Sequence, residues 1–128
     1  MNDKDIKRFL NEAKIQAAKS QCNYRLGAVA VQRNRMLGKG PNLTKTHTMM
    51  QRETGANRLL GIHAEIHAAI KSGYDQLKGS TIFVSRITKD NKYAMAKPCK
   101  ICQKILKRMY VKQVYFTIDE NTYGRMML

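Results

Sequence analysis

The sequence predicts an α/β fold: an α-β-α sandwich with a mixed central sheet of about five strands, the last two core strands parallel. Three observations predict it. An amphipathic helical pattern opens the chain, a glycine-flanked hairpin pattern follows, and a helical stretch lies between two short apolar runs near the end. That last arrangement is a βαβ unit, whose crossover connection makes its two strands parallel.

Taken in order, Asp5 to Ser20 places Ile6, Phe9, Leu10, Ala13 and Ala17 at helical spacing, with Asn2 or Asp3 as cap. Gln21 to Leu26 connects. Gly27 to Val31 is rich in small and β-branched residues, Arg33-Asn34-Arg35 turns, and Met36-Leu37-Gly38 returns, so the pair reads as a hairpin ending at Gly38, Gly40 and Pro41. Pro41 to Leu60 has no clear period and reads as a long loop. Gly61 to Ser72 is helical, with Ile62, Ile66, Ala69 and Ile70 on one face and Gly73 as its stop. Thr81 to Ser85 reads as a buried strand, and Asp90-Asn91-Lys92 turns an extra hairpin between Arg86 and Met95. Pro98 opens a helix running to about Tyr110. Val114 to Ile118 is the next strand, and Asn121 to Leu128 reads as a loop or short helix.

At 128 residues the chain 1–128 is one domain, enough for a single core. Its 43% hydrophobic content holds no apolar run near membrane-spanning length, which points to a soluble globular chain. The polar start, Met1 to Asp5, has no signal-peptide character, so the expected location is cytoplasmic or nucleoid-associated and not secreted. Of three cysteines, Cys99 and Cys102 form a C-x-x-C with a histidine upstream, which suits a reducing compartment and a metal rather than disulfides. Cys22 reads as a small buried hydrophobe. The net charge of +15 exceeds what solubility needs. It suggests a polyanionic partner, nucleic acid ahead of membrane because no strongly apolar surface helix accompanies it. The blander reading is a basic surface that attracts phosphorylated nucleotides. The oligomeric state is left open, a homo-oligomer included.

The chemistry gathers at Gly61-Ile62-His63-Ala64-Glu65 and Lys97-Pro98-Cys99-Lys100-Ile101-Cys102. One histidine and two cysteines, each near a helix start, supply three ligands to a tetrahedral zinc and leave the fourth position for water. Both cysteines lie one helical turn apart, and the helix N-terminus favours them as thiolates. Glu65, two residues from His63, reaches that water without being a ligand. Zinc lowers the pKa of such a water to about 7, and the carboxylate shuttles its proton. Two other readings stand beside this one. His63 and His67, spaced i, i+4, close a structural Cys2His2 site with Cys99 and Cys102. A metal-free C-x-x-C redox pair is the other, and it leaves His63-Ala64-Glu65 unexplained.

These segments read H-x-E … P-C-x-x-C, and the sequence resembles the cytidine and deoxycytidylate deaminase superfamily, which also holds tRNA adenosine deaminases and polynucleotide cytosine deaminases. The resemblance spans about Gly27 to Ile118. It implies zinc as cofactor, His63, Cys99 and Cys102 as its ligands, and Glu65 as the catalytic acid and base. Gly38-Lys39-Gly40-Pro41-Asn42 resembles the family segment whose asparagine contacts the substrate sugar, so Asn42 takes that role by resemblance. A plain turn asparagine is the alternative. Likewise the Ala64 backbone amide is the expected partner of the pyrimidine carbonyl, and His67 falls where deoxycytidylate relatives carry a polar pocket residue. Two departures stand out: a longer segment between the Val84 strand and Pro98, and an early end after Ile118.

For the substrate, Arg52, Arg58, Lys97, Lys100 and Lys104 surround the predicted site, and Tyr123 lies where relatives place base-stacking aromatics. Basic tracks with aromatics suit single-stranded nucleic acid. The expectation is deamination of cytosine to uracil on single-stranded DNA or RNA. The alternatives are a free deoxycytidylate or deoxycytidine deaminase acting on a phosphorylated cytosine nucleotide, an adenine-type enzyme, and a silent zinc-stabilised nucleic-acid-binding module.

Overall fold

The computed structural model describes residues 1–44 and 62–128. Helix α1 covers Asp3–Ala17, and Asn2 caps it: its Oδ1 accepts the Asp5 N–H at 2.9 Å. The helix stops at Ala17 rather than Ser20, because the Lys19 and Ser20 N–H groups close tighter bonds to Gln16 and Ala17. Strands β1 (Arg25–Gln32) and β2 (Arg35–Pro41) form the expected hairpin. Its two-residue loop, Arg33-Asn34, has φ of +53° and +62°, the left-handed pair of a type I′ turn.

Helix α2 spans Ala64–Ser72 and stops at Gly73, whose φ of +82° suits glycine. A short helix α3 (Tyr74–Leu77) leads into β3 (Thr81–Ile87), which folds back on β4 (Tyr93–Ala94) through the predicted Asp90-Asn91-Lys92 turn. Helix α4 (Lys100–Arg108) then crosses to β5 (Gln113–Thr117), which runs parallel to β3 from Thr81↔Gln113 to Val84↔Phe116. The chain end corrects the expectation of a loop or short helix. Residues Tyr123–Met127 are a strand, β6, antiparallel to β5. Asp119 sets that hairpin, its Oδ1 accepting both the Asn121 and Thr122 N–H groups. The sheet order is β2-β1-β3-β5-β6, with β4 on the outer half of β3. Pro41 to Leu60, read as a loop, falls mostly outside the described residues, as do Arg52, Arg58 and Gly61.

Side-chain alternation along three central strands divides the core into two layers. Ala28 and Ala30 of β1, Ile82 and Val84 of β3, and Val114 and Phe116 of β5 pack with α2 and α4. Their neighbours Val29, Val31, Phe83 and Tyr115 pack with Ile6, Phe9, Leu10 and Ala13 of α1. Ser85, buried on the α1 side, donates its hydroxyl to the Leu10 carbonyl at 2.7 Å, so its polar group is satisfied. Among the described residues no helix is long and apolar enough to cross a membrane.

Glycines let the helices approach. A Cβ on Gly27 would lie 2.1 Å from the Ala13 carbonyl oxygen, and one on Gly38 would lie 2.4 Å from that of Ala68. Both obstacles are helix backbone, which cannot step aside. Gly27→Val should therefore lower stability by about 3 kcal/mol, the upper end for overpacking. Urea unfolding reads this as a lower midpoint at unchanged slope.

Candidate metal centre and active site

His63 and Cys99 hold equivalent places. Each is the N-cap of its helix, α2 and α4, in extended conformation, and neither side chain caps its own helix. Both side chains are thus free to meet. His63 Nδ1 lies 3.0 Å from Cys102 Sγ and 3.7 Å from Cys99 Sγ, and the three donor atoms all fall within 4.8 Å of one another. A tetrahedral zinc with its usual bond lengths sets nitrogen–sulfur separations of about 3.5 Å. The donor set has the size and chemistry that zinc takes.

Glu65 completes the group without joining it. Its side chain is buried in the first turn of α2, with Oε1 3.7 Å from His63 Nδ1. Its Oε2 is buried and has no hydrogen-bond partner among the described residues. A carboxylate oxygen so placed demands a donor, and the side facing the three ligands is where a water or substrate proton would supply it. His67 does not close the set: neither of its ring nitrogens joins the cluster of His63, Cys99 and Cys102, its Nδ1 meeting the Pro41 carbonyl at 2.7 Å and its ring sitting beneath Gly40. The Cys2His2 reading therefore fails among the described residues.

The three donors share protons. The Cys102 thiol, then His63, hydrogen-bonds Cys99 and holds it down to about 4. Cys99, then Glu65, raises His63 to about 10. The bond with Cys99, then burial, pushes Cys102 up.

A cavity of about 330 Å³ opens beside this group, lined by Tyr24, Leu26, Asn42, His63, Ala64, Glu65, Ala96, Lys97, Pro98 and Cys99. Asn42 is at its wall, but much of its amide serves the fold: Nδ2 donates to the Tyr24 carbonyl at 2.8 Å and Oδ1 accepts from the Leu26 N–H at 3.1 Å. The remaining Nδ2 hydrogen is what it can offer a ligand. Ala64 is the first residue of α2, so its N–H has no partner within the helix. Lys97 is exposed at the rim, and Lys100 and Lys104 are exposed on α4. Two sequence-chosen residues lie elsewhere. His67 is not in the cavity wall, for the reason just given. Tyr123 lines a different cavity, beside α1, and donates its hydroxyl to Asp3 at 2.6 Å. Tyr24, Leu26 and Ala96 are lining residues that sequence reasoning missed. Tyr24 carries a faint signal, an aromatic beside the first strand that stays 64% exposed.

The profile of the cytidine and deoxycytidylate deaminase zinc-binding region matches residues 3–118. The chain belongs to this family. The deaminase fold is shared with solved structures of low identity. The dCMP deaminase of cyanophage S-TIM5 in apo form superposes with a TM-score of 0.66 at 22% identity, over 91% of this chain and 84% of that one. The cytidine deaminase of Burkholderia pseudomallei gives 0.70 at 18% identity, over 99% and 93%. A structure from work on tRNA:A34 deaminases gives 0.58 at 18%, over 86% and 74%. No curated protein matches the sequence. Zinc is this family's metal, and His63, Cys99 and Cys102 are positioned to bind it.

Zinc uptake at neutral pH should release protons, because His63 and Cys102 are shifted up and must deprotonate to bind. Affinity should thus fall on the order of tenfold or more per pH unit of acidification. Chelator competition across pH 6 to 8 reads it. Cys102→Ala should abolish tight binding, whereas Glu65→Gln should leave it intact.

Proposed function

We propose that this protein hydrolytically deaminates cytosine to uracil in single-stranded nucleic acid, releasing ammonia. The observation that carries the chemistry is the buried, unpartnered Glu65 Oε2 beside three zinc donors at the wall of a nucleoside-sized cavity. Zinc, when bound, supplies a water acidified to near neutrality. Every other task falls to the chain. Glu65 takes one proton of the attacking water at Oε2 and gives it to the ring nitrogen, then takes the proton of the hydroxyl now on the base and passes it to the departing amine. Its burial keeps bulk water from competing for that proton. The Ala64 N–H, left free by the helix start, binds the pyrimidine carbonyl. Asn42, pinned by Tyr24 and Leu26, presents its spare N–H to the sugar.

The strand reading rests on charge. Lys97 stands at the cavity rim, and exposed Lys100 and Lys104 continue from it along α4, on a chain of net charge +15. Such a line of cations suits successive phosphates. Free deoxycytidylate is the second reading. It is favoured by likeness to the cyanophage dCMP deaminase, solved in complex with dCMP and dUMP, at 24% identity and a TM-score of 0.67.

Product formation from a cytosine-containing single-stranded oligonucleotide and from dCMP, in parallel, separates the two. The proposal expects uracil in the oligonucleotide at a rate that falls steeply with salt. Turnover of dCMP alone would replace it with the nucleotide reading. Glu65→Ala should lower turnover on the order of 10²–10⁴-fold while zinc stays bound. A zinc-loaded wild-type protein silent on both substrates points to adenine substrates or to a binding module.

A further inference from the structure

Arg86 is a cation that the chemistry above does not use. It sits near the end of β3, paired with Leu26 of β1 on one side and Ala94 of β4 on the other. Directly paired residues of antiparallel strands project to the same face. Leu26 lines the active cavity, so the Arg86 side chain leaves the sheet on the cavity face. Its guanidinium carbon lies 4.4 Å from the centre of the Tyr24 ring, and Tyr24 is itself part of the cavity wall.

What this guanidinium lacks is an acid. Among the described residues no carboxylate lies within ion-pair distance of Arg86. Its Nε is buried with no hydrogen-bond partner. A half-buried arginine held only by an aromatic ring retains its donors and its full charge, and a planar guanidinium is the group that best matches a phosphate. The ring contact fixes its direction, and the Arg86 N–H bond to Thr117 Oγ1 at 3.2 Å anchors the backbone below it.

We propose that Arg86, oriented by Tyr24, binds the phosphate 5′ to the target cytosine and so makes the site selective for nucleotides over nucleosides. This deepens the function proposed above and rests on it. The same chemistry serves a free monophosphate and a phosphodiester, and the test distinguishes them.

The test compares kcat/KM within two substrate pairs. One pair is dCMP and deoxycytidine. The other is an oligonucleotide with a phosphodiester, or with an uncharged methylphosphonate, immediately 5′ to its cytosine. Arg86→Met keeps the stem and removes the charge. It should cut the advantage of the charged member at least tenfold, chiefly through KM, and leave the uncharged member within about twofold of wild type. The pair that shows the effect identifies the phosphate's source. Arg86→Lys, which keeps the charge without the fork, should recover part of the advantage and serves alone should Arg86→Met not fold. Equal losses on both members of each pair would assign Arg86 a merely structural role and overturn the inference, as would no change at all. Wild-type protein that turns over none of the four substrates would instead sink the proposed function. A wild-type preference for the charged member that survives Arg86→Met would sink only this assignment.

Discussion

The arrangement on which the site depends is the meeting of two helix N-termini. His63 caps α2, Cys99 caps α4, and neither spends its side chain on its own helix. Cys102, one turn into α4, brings a second sulfur to within 3.0 Å of the same imidazole nitrogen. Hydrogen bonding among the three donors holds protons on His63 and Cys102 and draws one from Cys99. A divalent cation would take the place of the protons held there. The helix starts add to this, because their free N–H groups favour anionic sulfur.

The sheet serves this meeting point. Alternation along β1, β3 and β5 gives α1 one face and α2 and α4 the other. Helix α2 lies close on β2 because Gly38 and Gly40 leave room, Gly40 for the ring of His67 and Gly38 for the helix backbone. Helix α4 follows the carboxyl end of β3 in the crossover to the parallel β5, and open α/β sheets carry their sites at such ends. Glu65 is carried into the same space by its position in the first turn of α2, buried where water is scarce and aimed at the ligands. An orphaned buried oxygen is a cost that a purely structural metal site would have no reason to bear.

Most of this was legible in the sequence because its signals were local. Helical spacing marked α1, the turn residues marked the first hairpin, and Pro98 with two cysteines one turn apart marked the start of α4. The zinc ligands and Glu65 are contiguous motifs, so the structure needed only to bring two segments together. What escaped reading was non-local. Strand β6 has no strong alternation of its own, and none of it is fully buried; its pairing with β5 makes it a strand. His67 looked like a pocket residue by position, but the glycine opposite draws its ring beneath β2 and gives it the Pro41 carbonyl. Tyr123 looked like a stacking aromatic, but Asp3 at the other end of the chain holds its hydroxyl. Tyr24 and Arg86 are 62 positions apart in the numbering and carry no motif, so only the sheet register reveals them as neighbours.

The central claim is a zinc held by three protein ligands with one position left for water beside Glu65. X-ray absorption on the zinc-loaded protein tests it most directly. The spectrum should show two sulfurs at about 2.3 Å and two light atoms, one imidazole nitrogen and one oxygen, at about 2.0–2.1 Å. The imidazole scattering should count one ring. A closed set with two imidazoles or a third sulfur would contradict it, because no position would then remain for the water that Glu65 is placed to meet.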